Sequence, residues 1–132
     1  MGLDLRANGY PKEELHIGYM GFGVIRQQIA RSYNEELGML YDKTYTYLHY
    51  QYTEDEEKRW NEICNDDLDL LIWHSDYEGK LTYQECNKIF KVLNKLDFKY
   101  PKEWRQDYKE KYYILKDMIS WCGKNRITLY FR

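Results

Sequence analysis

The sequence predicts a single α+β domain over residues 1–132, with about three helices packed on a small antiparallel sheet of two or three strands. Three observations predict it. Short alternating apolar segments near both ends read as strands, and longer stripes at spacings of three and four read as helices. The length of 132 residues suits one domain that can bury a core without disulfides or a structural metal.

Leu3 and Leu5 alternate with Asp4 and Arg6, which predicts a strand closed by the turn signal Asn8-Gly9 and by Pro11. Phe22, Ile25, Ile29, Tyr33, Leu37 and Leu40 then mark one face of a helix that starts near Phe22 and weakens at Gly38. The block Tyr41 to Tyr52 fits both periods; its Thr and Tyr content favours a strand. The charged run Thr53 to Lys58 reads as a solvated turn or a helix start. Leu70 to Trp73 is an apolar run too short to type by period. Thr82 and Glu85 form a capping box, and the helix it opens buries Cys86, Ile89, Phe90, Leu93 and Leu96. Pro101 suits the first residue of another helix, striped by Trp104, Tyr108, Tyr112, Leu115, Ile119 and Cys122, with Gly123 as its left-handed cap. Ile127 to Phe131 reads as the last strand.

Composition narrows the function. With 20 basic against 22 acidic residues the net charge is −2, so no broad basic field is expected and general nucleic-acid binding is set aside. Aromatic residues make up 17%, including 15 tyrosines, which suits half-wet recognition surfaces as well as a tyrosine-filled core. Cys64, Cys86 and Cys122 show no paired spacing, so reduced thiols and no zinc site are expected. The charged start Asp4 to Arg6 does not suit a signal peptide, and no apolar run approaches ~18 residues. The expectation is a cytoplasmic protein without membrane contact.

Two segments can carry chemistry. The first is Gly18-Tyr19-Met20-Gly21-Phe22-Gly23, where a glycine-led helix start offers N–H groups to an anion. Arg26 could grip a phosphate or carboxylate there, with Tyr19 and Phe22 stacking on a ring. It lacks the order of a Walker or dinucleotide loop, and a plain turn feeding a helix is the competing reading. The second is His74 to Glu85. Aligned on Gly79 it mimics a calcium loop, with Asp76, Glu78 and Glu85 at ligand positions, but His74 stands where an Asp is needed and Glu85 already serves the capping box. No metal or other cofactor is therefore expected, and His74, Asp76 and Glu78 are left as ligand contacts or loop scaffolding. Catalysis is poorly supported. Cys86 falls on an apolar helix face, no Gly-x-Ser-x-Gly elbow exists, and His16, His49 and His74 are scattered.

At these segments the chain resembles a family of small uncharacterised proteins of bacteria and their phages. The family begins Met-Gly-Leu/Val-Asp, carries a Tyr-x-Gly-Phe-x-x-x-Arg segment and a His-Ser-Asp-Cys-Asp-Gly-x-Leu-x-x-x-Glu-Cys loop, and ends in a strand closing on Phe. Here the pieces are Met1 to Asp4, Tyr19 to Phe22 with Arg26, and His74 to Leu81 with Glu85-Cys86. Tyr77 and Glu78 replace the pattern's Cys and Asp, a departure that weighs against a thiol or tight metal role there. The resemblance implies that the two segments belong to one site, with Arg26, Tyr19 and Phe22 facing His74, Asp76 and Glu78.

The functional expectation is a non-catalytic module binding a small anionic ligand of nucleotide type through Tyr19, Gly21, Phe22, Arg26, His74, Asp76 and Glu78. In a phage it could sequester a nucleotide-derived host defence signal. The alternatives are a protein-interaction module that inhibits a host protein through the tyrosine-rich face from Tyr41 to Tyr52, and a small hydrolase with His74 as base positioned by Asp76; a homo-oligomer is a further partner expectation.

Overall fold

The computed structural model describes residues 2–46, 53–74 and 78–132, and of residues 42–46 the backbone alone. It is an α+β fold. Among the described residues there are six helices and a four-stranded antiparallel sheet, more of each than the sequence predicts. The strands are β1 (Gly2–Ala7), β2 (His16–Gly18), β3 (Lys80–Leu81) and β4 (Leu129–Phe131), in the order β2-β1-β4-β3. Leu3, Leu5, Ala7, Ile17, Leu81, Leu129 and Phe131 point inward and are buried, while Arg6, His16, Lys80 and Tyr130 alternate outward. Arg6 pairs across from Tyr130, and Lys80 pairs with Tyr130 from the other side.

The helices are α1 (Tyr19–Tyr33), α2 (Glu35–Thr46), α3 (Glu54–Ile63), α4 (Asp66–Ile72), α5 (Tyr83–Lys95) and α6 (Gln106–Asn125). The single stripe from Phe22 to Leu40 is two helices, because Asn34 is extended and its side chain accepts from the Glu36 and Leu37 amides. Period alone cannot see such a break, since the apolar positions resume on the same face. Helix α1 also starts at Tyr19 rather than Phe22, so Gly21 and Gly23 lie inside a helix and not in a loop. The expected strand from Tyr41 is helical as far as Thr46, and 47–52 lie outside the described residues. Helix α2 packs on α1, and Tyr41 is buried.

The capping box read from the sequence forms, and a second one opens α3. Thr53 and Glu56 close one at α3, and Thr82 and Glu85 close the other at α5. The last long helix departs from expectation at both ends. Pro101 precedes it in a turn closed by the Trp104 amide on the Pro101 carbonyl (3.1 Å), and Arg105 is the residue before its first turn. Gly123 is buried inside it, because a Cβ there would stand 2.2 Å from Asn87 Oδ1 on α5; the left-handed cap is Arg126, with φ 56°.

The connection between α5 and α6 packs three aromatic side chains, Phe98, Tyr100 and Trp104, against α6. Phe98 stacks on Tyr112 at 3.7 Å, and Tyr100, Trp104 and Tyr108 continue the cluster along α6. The Tyr112 hydroxyl is buried without a hydrogen-bond partner among the described residues. Burial, with the Tyr113 phenol beside it, pushes its pKa up to about 12. An unfolded tyrosine ionises at about 10, so ionisation of this group leaves the fold untouched below that pH and destabilises it progressively as pH rises from about 10 to about 12. Burial raises Tyr10 and Tyr100 in the same direction. Tyr112→Phe therefore raises stability at neutral pH by about 1 kcal/mol and shrinks the alkaline loss. Urea midpoints on both sides of the transition check this; an unchanged alkaline leg would contradict it.

Candidate functional site

The two segments singled out in the sequence meet. Arg26 is 5% exposed, and its Nη1 donates to the Ile72 carbonyl at 3.1 Å and to the His74 carbonyl. Its guanidinium lies 4.3 Å from the centre of the Phe22 ring, which contacts Phe131 edge-on at 6.1 Å. The His74 imidazole stacks on the other side of the junction, 3.8 Å from Phe131, with Nε2 at 3.1 Å from the Lys80 carbonyl. Gly79 adopts φ +102°, where a Cβ would press on His74 at 3.1 Å, and its carbonyl accepts from the Phe131 amide at 2.9 Å. Arg26, Phe22, Phe131 and His74 thus tie α1 and the end of α4 to the sheet.

The remaining expected positions fall differently. Tyr19 is the first residue of α1 and half-buried against the core. Gly21 faces Ile17 and Tyr108, whose atoms lie 3.1 and 3.2 Å from where a Cβ would be. Glu78 is exposed. Asp76 lies outside the described residues. Glu85, the twelfth position of the calcium alignment, accepts from the Thr82 amide at 2.9 Å. An anion seeking a cation in this region meets a guanidinium turned inward to backbone.

The outward face of the sheet is the more accessible chemistry. A groove of about 660 Å³ runs beside the β1–β2 turn, lined by Arg6, Tyr10, Lys12, His16, Tyr130 and Arg132 among others. The turn that walls it is strapped to α6: Tyr10 donates to Asp117 at 2.6 Å, and its ring meets Trp121 edge-on at 5.5 Å. His16 Nδ1 donates to Asp4 at 2.6 Å, and this bond holds the Asp4 carboxyl below its ordinary value. Arg6 reaches the exposed Asp4 at 3.8 Å and the half-buried Glu14 at 3.6 Å, both long. Arg132 has its guanidinium 5.2 Å from the Tyr130 ring and no carboxylate partner among the described residues. The sequence carried this site only as outward strand positions, Arg6 at one end of the chain and Tyr130 with Arg132 at the other.

Thiol chemistry has no support in this arrangement. Cys86 and Cys122 are buried against each other between α5 and α6. Burial and the Asp69 carboxylate push Cys64 up to about 12. Among the described residues no three His, Cys, Asp or Glu side chains converge as metal ligands, and no helix is long and apolar enough to cross a membrane. No protein-family model, curated protein or solved structure matches the chain.

Proposed function

We propose that the protein is a non-catalytic binding module that holds a small anionic, ring-bearing ligand of nucleotide type on the open face of its sheet. The observation that carries this reading is Arg132 beside the Tyr130 ring, in a groove of about 660 Å³. Small-ligand sites span roughly 300–1,000 Å³. Arg132 takes the anion, joined by Arg6, whose long, exposed ion pair with Asp4 is worth only about 0–1 kcal/mol and yields to a phosphate. Tyr130, 38% exposed, supplies the ring face. His16 and the straps from Tyr10 and Lys12 to Asp117 hold the wall in place before the ligand arrives. The family resemblance adds the setting, a phage protein sequestering a nucleotide-derived signal in its host, with Arg26 and His74 shaping the fold behind the site.

Equilibrium binding of a panel of mono-, di- and cyclic nucleotides tests the proposal. Arg132→Ala and Tyr130→Ala should each weaken the tightest binder about tenfold or more, matching the loss of a charge-assisted bond or a ring stack. Equal binding by wild type and both variants would remove the site.

A specific observation favours a second reading. Trp73 is 41% exposed and braced by Trp60 at 5.0 Å and Tyr41 at 6.0 Å, an anchor suited to a partner protein. On that reading Trp73, rather than Tyr130, is the residue whose truncation costs binding.

A further inference from the structure

The net charge of −2 conceals a separation. Residues 53–69 hold eight acidic and two basic side chains, whereas residues 80–132 hold thirteen basic and six acidic. Charges farther apart than about 8 Å are largely screened at physiological salt, so a partner at one surface responds to the charges there and not to the sum. The acidic helix α3 packs on α2, while α6 packs chiefly on α5, with α1 and β4. The whole-chain argument against nucleic acid therefore does not govern the α6 surface.

On that surface Tyr113 is 54% exposed, the one large apolar side chain of α6 turned outward among the described residues. Its ring rests on Tyr100 at 6.0 Å and on Tyr112 at 6.1 Å, over the aromatic cluster. Lys109 stands four residues before it and Lys116 three after, on the same helix face and about 10 Å apart along the axis. Lys109 Nζ sits 4.7 Å from the Tyr100 ring, and neither lysine is bridged to a carboxylate among the described residues. Lys99, one residue before Tyr100, is exposed on the connector. The buried Gln28 donates to its carbonyl at 2.8 Å, and its amide donates to Ser32 at 3.1 Å, so the connector backbone is fixed against α1. Of the neighbouring carboxylates, Asp107 is engaged by Arg105 and Lys111, and Asp117 by Lys12; Glu103 and Glu110 stay unbridged.

We infer that this face binds single-stranded nucleic acid, with Tyr113 stacking on a base and Lys109, Lys116 and Lys99 meeting the phosphates on either side. A lone exposed ring among unbridged lysines fits a stacking platform in a cationic track. A protein partner needs a broader apolar centre than one tyrosine supplies. The site shares no residue with the sheet groove and stands or falls independently of it.

Fluorescence anisotropy of labelled oligo(dT) and oligo(U), titrated with the full chain from low salt upward, tests the inference; the pair also separates DNA from RNA by the 2′-hydroxyl. The expected result is binding that weakens with salt, drops roughly 10- to 100-fold in Tyr113→Ala and recovers in Tyr113→Trp. Reversing Lys109 or Lys116 to Glu should flatten the salt slope by about 0.7 each. Lys58→Glu, on α3, changes the net charge equally and should change nothing. No salt-dependent binding to either strand would overturn the inference. So would losses in Lys58→Glu as large as in Lys116→Glu, or duplex and heparin binding that ignores Tyr113→Ala.

Discussion

Arg26→Ala lowers the stability of the fold by about 3–5 kcal/mol. One nitrogen of this buried guanidinium serves two main-chain carbonyls at the end of α4, those of Ile72 and His74. Without it the buried Ile72 carbonyl loses a donor, at about 1–3 kcal/mol for an unsatisfied group. The Phe22 ring also loses the cation above it, and the gap opens beside Phe131 and the His74 stack. For a domain whose total stability is on the order of 5–15 kcal/mol, that loss approaches unfolding. Arg26→Lys restores the charge but not the planar guanidinium that lies over the Phe22 ring while its Nη1 reaches both carbonyls, and should recover less than half. Urea denaturation measures both variants. A ligand-gripping arginine would behave oppositely, with stability changed by less than about 1 kcal/mol and binding lost.

Gly38→Ala is expected to cost about 1–3 kcal/mol even though alanine improves helix propensity by about 1 kcal/mol. Gly38 lies in the first turn of α2, where the chain doubles back on α1 after Asn34. A Cβ there would stand 2.8 Å from the Arg31 Cα and 3.1 Å from its amide nitrogen. Those are backbone atoms with no rotamer to escape into, so the two helices must separate. Gly123→Ala provides the contrast. Its nearest obstacle is the end of the Asn87 side chain, at 2.2 Å, which can swing aside at the loss of its 3.3 Å bond to the Gly123 carbonyl. The larger loss of thermal stability should belong to Gly38→Ala, and the reverse order would show that α1 and α2 are not held that close.

The sequence was most legible where one local rule acts alone. The Thr82–Glu85 capping box and the alternation of Leu3 and Leu5 translate directly into α5 and β1. It was least legible where tertiary contacts choose between local options. Asn34 splits a continuous stripe by capping in both directions, and two-residue β3 is too short to show any period. Gly123 looks like a terminator yet is a packing glycine, a distinction that only the position of Asn87 makes. The candidate site follows the same logic. Arg26 and His74 were visible as a pair and do meet, but burial, which sequence does not display, turns the guanidinium toward backbone. Arg6, Tyr130 and Arg132 are dispersed over the chain, and the register that sets Arg6 opposite Tyr130 is a property of the assembled sheet.

The most direct measurement is amide chemical-shift mapping of the labelled protein during titration with the tightest-binding nucleotide. The account predicts saturable shifts concentrated at Arg6, His16, Tyr130 and Arg132, small shifts at Arg26, and their disappearance in Arg132→Ala. Shifts centred on Tyr19, His74 and Glu78 that survive Arg132→Ala, or no shifts with any nucleotide, would contradict it.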